Sequence, residues 1–88
     1  MVTRTLRIVN PLGLHARAAA RFVRVASQYA ATVRVSKGAR ELDGKSILGL
    51  LLLGASRGSD ITIRADGADA EAAIEALSQL VADGFEDA

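Results

Sequence analysis

The chain has 88 residues, enough for one domain and too few for two. Half of them are apolar, the formal net charge is +1 and there is no cysteine, which excludes a disulfide framework, a cysteine-based metal site and the basic excess of most nucleic-acid binders. The longest strongly apolar run, Ile47 to Leu53, is far too short to span a bilayer, and no apolar signal core follows Met1-Val2-Thr3-Arg4, so the expectation is a soluble cytoplasmic domain without membrane insertion.

Taken in chain order, Val2 to Val9 places Val2, Leu6 and Ile8 on one parity and Thr3, Thr5 and Arg7 on the other, which predicts a strand. Asn10-Pro11-Leu12-Gly13 breaks it. From Ala16 to about Ser27 the period becomes helical, with Ala18, Ala19, Phe22, Val23, Val25 and Ala26 on a broad apolar face. Arg17, Arg21 and Arg24 fall in a stripe on the other side, and a solvated face is the plain reading of it. Thr32 to Ser36 alternates again, Lys37-Gly38 signals a turn, and Arg40 to Asp43 completes a hairpin.

After the break at Asp43-Gly44-Lys45, Ser46 precedes the apolar run that Gly54 ends. Serine is a good N-cap and glycine a good C-terminal stop, so this run is predicted as a short helix. Ser59 to Ala65 alternates, and Asp66-Gly67 turns. Asp69 is placed to cap a last helix from Ala70 to about Asp83, with Gly84 after it. The order β-α-β-β-α-β-α lacks the strict repeat of a parallel sheet. A four-stranded antiparallel sheet with three helices on one face, an α+β fold in a single domain over residues 1–88, is the economical solution.

Chemistry has few places to live, because there is one histidine, one tyrosine and no tryptophan. His15 lies between a glycine-containing turn and an alanine-rich helix, where it is the N-cap. Histidine is a mediocre cap, so a role other than helix stability is suggested. The first helical turn leaves backbone N–H groups unpaired and carries partial positive charge, which suits a phosphoryl group on the ring. Arg17 can add a cation with forked donors. A histidine capping a helix by chance remains the plainer reading of His15 alone. No second His or Cys exists to complete a metal site. Ser46 is by itself simply an N-cap. The helix after it is apolar nearly all round, with Leu50 and Leu53 on one face and Ile47, Leu48 and Leu51 on another. Either the second face is an exposed patch for a partner, or both faces pack.

Leu12-Gly13-Leu14-His15-Ala16-Arg17 resembles the active-site signature of the HPr family, and Gly44-Lys45-Ser46-Ile47-Leu48-Gly49 resembles that family's second signature, around its regulatory serine. The resemblance implies an open-faced β-sandwich. It implies that enzyme I of the phosphoenolpyruvate-dependent phosphotransferase system phosphorylates His15 on Nδ1, with Arg17 assisting, and that the group passes to an enzyme IIA protein or domain. It also implies Ser46 as the target of an HPr kinase/phosphorylase. The implied docking surface comprises Ala16, Ala20, Arg24, Ile47, Leu48 and Leu51. Such a carrier is a monomer, is not a free-standing enzyme, and needs no metal or organic cofactor. Ala18 departs from the proline of many members. Leu12 and the tail Gly84-Phe85-Glu86-Asp87 are similar to the nitrogen-related NPr branch, whereas the Ser46 signature is similar to kinase-controlled carriers of sugar transport. The alternative is a regulatory protein of the same fold that acts through Ser46-dependent binding without relaying phosphate.

Overall fold

The computed structural model describes residues 1–86, so Asp87 of the tail signature lies outside the described residues. The elements are β1 (Val2–Arg7), α1 (Ala16–Ala26), β2 (Thr32–Lys37), β3 (Arg40–Asp43), α2 (Ile47–Leu53), β4 (Asp60–Asp66), α3 (Ala70–Ala82) and a 3-10 turn, Gly84–Glu86. The four strands form one antiparallel sheet in the order β1-β4-β2-β3, and the helices cover one face of it.

Alternation along the strands separates the two faces. Val33, Val35, Ile61, Ile63 and Ala65 point into the core, where Phe22 of α1, Leu50 of α2, and Ile74 and Leu77 of α3 meet them. The opposite face is polar. Arg34 and Arg64 sit directly across the ladder from each other, a repulsive pairing that Glu41 Oε1 offsets by accepting from both guanidinium groups. The Lys37-Gly38 turn joins β2 to β3, with Gly38 at φ 60° as a tight hairpin requires. Among the described residues, no helix is long and apolar enough to cross a membrane.

At β1, at β4 and at the start of α3 the structure departs from expectation. β1 ends at Arg7, not Val9, although the Ile8 N–H still reaches Ser59 O at 2.9 Å before Asn10-Pro11 turns the chain. β4 runs from Asp60 to Asp66, one residue later than the alternation predicts. Asp69 does precede α3, but its side chain does not cap that helix. Its two carboxylate oxygens instead accept the N–H groups of Ala30 and Ala31, each at 2.8 Å, and so tie the α1–β2 connection to the start of α3. The turn at Gly84–Glu86 has no counterpart in the sequence reading. It buries Phe85 completely, with Phe85 and Glu86 both in the left-handed region at φ 58° and 63°.

Candidate functional site

The segment from β1 to α1 is held at several points. Gly13 has φ 64°, and a Cβ there would lie 2.6 Å from Ala55 O, so the chain passes too close to the residues after α2 for any side chain. Leu14 N–H donates to that same Ala55 O at 2.9 Å, and the Leu14 side chain is buried. Within the loop, Gly13 N–H donates to Asn10 O at 3.1 Å. The Gly13 carbonyl accepts twice, from Asn10 Nδ2 at 2.7 Å and from His15 N–H at 2.9 Å.

His15 follows with extended backbone (φ −77°, ψ 179°) and is the N-cap of α1. Its Nδ1 accepts the N–H of Arg17 at 3.2 Å, and its carbonyl accepts the N–H of Ala19 at 2.8 Å. An imidazole nitrogen that accepts carries a lone pair, so in the neutral ring the proton is on Nε2. The Nδ1 lone pair therefore faces the positive end of α1. No acidic residue occupies the first turn of that helix. A group attached to Nδ1 would meet N–H donors and no competing carboxylate.

Arg17 is brought beside His15 through its backbone N–H. Its side chain is exposed, and among the described residues its guanidinium makes no hydrogen bond or ion pair. Arg24 is exposed as the stripe predicts, but Arg21 departs from it. Arg21 is half-buried and donates from Nη1 to the Phe85 carbonyl, so it ties the tail to α1 and does not line a solvated face. Ala18, where proline was absent, is fully buried in a continuous helix.

Ser46 is the N-cap of α2, with Oγ accepting the N–H of Gly49 at 3.0 Å. Gly54 ends the helix at φ 68°. The Leu14–Ala55 bond places His15 next to the C-terminal end of α2, and Ser46 stands at the other end, about 10 Å away along a seven-residue helix. The structure thus joins His15 with Arg17 and keeps Ser46 apart. Leu50 and Leu53 pack inward, whereas Ile47, Leu48 and Leu51 are exposed, Leu48 to 67%. Leu52, which the face analysis did not single out, is exposed as well. α1 packs against α2, with Ala16 exposed and Ala20 half-buried on its surface.

A family model described as "PTS HPr component phosphorylation site" matches residues 2–83. The phosphocarrier protein HPr of Cupriavidus necator is 41% identical, covering 97% of this chain and 96% of its own length. The phosphocarrier protein NPr of Shewanella violacea is 40% identical, covering 97% of this chain and 93% of its own. The crystal structure of HPr-C-His from Thermoanaerobacter tengcongensis superposes with a TM-score of 0.96 at 40% identity, covering 100% of this chain and 99% of that one.

Proposed function

The chain belongs to the HPr family of phosphocarriers, and on that premise we propose that it relays a phosphoryl group on His15 as a single, monomeric, HPr-like domain. The observation that carries this reading is the Nδ1 lone pair facing the acid-free N-terminus of α1. Nδ1 attacks the phosphorus of a phosphohistidine on enzyme I, a new N–P bond forms, and the donor's N–P bond breaks as its ring nitrogen keeps the electron pair. In the second half, an enzyme IIA histidine attacks and His15 is the leaving group. The N–H groups of the first turn of α1 and the Arg17 guanidinium offset charge on the transferring oxygens. The reaction needs a partner active site in each direction, so the chain is a carrier and not a self-sufficient enzyme, and no metal or organic cofactor enters either step.

Both partners dock on the surface that combines Ala16, Ala20 and Arg24 of α1 with Ile47, Leu48 and Leu51 of α2. The exposed leucines of a seven-residue helix supply apolar area, and Arg24 supplies charge for an acidic rim. Ser46 is the regulatory site for an HPr kinase/phosphorylase. Phosphate there adds negative charge at the edge of that apolar surface and weakens enzyme I docking without unfolding α2. Which enzyme IIA accepts the phosphate separates a sugar-transport role from nitrogen regulation.

Intact-mass analysis tests the reading after incubation with enzyme I and phosphoenolpyruvate, and separately with HPr kinase and ATP. One acid-labile phosphate that His15→Ala eliminates is the expected result. An acid-stable phosphate on Ser46 alone would replace the relay with the regulatory alternative.

A further inference from the structure

Asn10 is the one buried polar residue among the described residues, 3% exposed in an otherwise apolar interior. Burying a polar side chain is costly, and the Asn10 amide offsets part of that cost by donating from Nδ2 to the Gly13 carbonyl at 2.7 Å. That carbonyl is the acceptor for the His15 N–H, so one oxygen links the buried amide to the residue that carries the ring. The bond from Gly13 N–H back to Asn10 O closes the loop on itself.

On its other side Asn10 meets the tail. Gly84, at φ 65°, is its neighbour: a Cβ there would sit in ordinary van der Waals contact with Asn10 Cβ, at 3.5 Å. The residue after it, Phe85, is fully buried in a left-handed conformation that is strained for a non-glycine residue. Burial of the ring and the Arg21 bond to the Phe85 carbonyl hold it there. The tail is thus fastened to α1 at Arg21 and lies beside Asn10, two sites that flank His15 in the chain.

We infer that Asn10 is a positioning residue for His15, and that the Gly84–Phe85 turn holds Asn10 in its place. The inference rests on the proposed role of His15. Asn10 acts on His15 through the Gly13 carbonyl. It fixes the Gly13 carbonyl, the carbonyl fixes the His15 backbone, and the backbone sets where Nδ1 stands relative to the Arg17 N–H. Phosphoryl transfer depends on such placement, because a misalignment on the order of 1 Å can cost up to about a hundredfold in rate.

The test compares Asn10→Ala and Asn10→Asp with the wild-type chain as substrates of enzyme I, and reads the ¹⁵N resonances of the His15 ring. Aspartate keeps the size of the side chain but its carboxylate cannot donate. Both variants are expected to lower kcat about ten-fold with KM unchanged, since the docking helices are untouched. The ring resonances shift from an Nδ1 that accepts towards a mixture of tautomers. Ile74→Val, a mild change in the core of α3, is the control for lost stability and keeps the wild-type kcat and resonances. Gly84→Ala is the second route, should the Asn10 variants fail to fold, and shifts both readouts the same way by a smaller factor. Variants that fold with wild-type kcat and ring resonances overturn the inference. Absence of phosphate on His15 of the wild-type chain would instead overturn the proposed function, and the ring resonances would still decide whether Asn10 positions the imidazole.

Discussion

At the start of α1, His15 Nδ1 accepts the N–H of Arg17 at 3.2 Å; at the start of α2, Ser46 Oγ accepts the N–H of Gly49 at 3.0 Å. Neither helix has an acid in its first turn. The local electrostatics are alike, yet the surroundings differ. Serine is among the best N-caps, so α2 needs no further explanation for Ser46. Histidine is a poor one, and the chain before it is anchored to the segment after α2 at Gly13 and Leu14 and closed on itself by Asn10. A helix start with a polar side chain identifies no chemistry by itself. The contrast between a cap chosen for stability and a ring held in place despite weak capping is what singles out His15.

The sharpest way to break the contrast is to remove each cap in turn. His15→Ala is expected to abolish phosphorylation from phosphoenolpyruvate while the circular dichroism spectrum stays native. Ser46→Ala is expected to leave that phosphorylation in place, because Ser46 lies at the far end of α2. Label that persists in His15→Ala moves the acceptor elsewhere and ends the comparison.

Gly13→Ala probes the anchor behind His15. A Cβ would lie 2.6 Å from Ala55 O, and the residue would keep a positive φ. We expect a loss of about 3 kcal/mol in denaturant unfolding, from left-handed strain together with overpacking. A loss below about 1 kcal/mol would mean that the loop yields easily, and that rigidity is not what distinguishes the two helix starts.

At α2 the expected effects are smaller. Ser46→Ala lowers stability by about 1 kcal/mol, the usual worth of a serine cap. Leu48→Ser, at a residue 67% exposed, changes stability by less than about 0.5 kcal/mol but weakens binding to enzyme I in a titration. Unchanged binding would remove Leu48 from the docking surface and leave the patch without that partner.

Strand alternation, the hairpin at Lys37-Gly38 and all three helices were legible in the sequence because each depends on a pattern that repeats within one element. The same holds for the caps at His15 and Ser46, where the cue and the helix are adjacent. What was not legible is carried by single residues whose partners are distant in the chain. Asn10 reads only as a strand breaker until its amide is seen under Gly13. Arg21 fits a solvated stripe until the Phe85 carbonyl arrives from 64 residues away. Phe85 itself is one aromatic beyond Gly84, with no period to place it. A signal was present, since an apolar residue just past a helix-ending glycine often folds back onto the helix.

Asp69 extends the comparison to a third helix start. It stands where an N-cap belongs, and its carboxylate binds Ala30 and Ala31 instead of α3. The N–H of Ala30, then that of Ala31, hold this carboxyl below the usual carboxylate range, with a further contribution from the charge of Lys45. A carboxylate with a depressed folded-state pKa contributes stability that is fully present above the ordinary unfolded value and is lost as pH falls through the folded value. Asp69→Asn keeps the shape but has one acceptor oxygen where two are used, and turns an NH2 group toward one of the two donors. It is therefore expected to be less stable than the parent chain at neutral pH. The difference should be flat down to the ordinary carboxylate range and shrink below it, as the parent chain protonates. Chemical denaturation at neutral pH and at several acid pH values measures this. If the difference is the same at every pH, Asp69 acts through shape alone, as an uncharged cap such as Ser46 does. If it shrinks at low pH, the charge on Asp69 is what fastens the α1–β2 connection to α3, and the three helix starts use their side chains in three distinct ways.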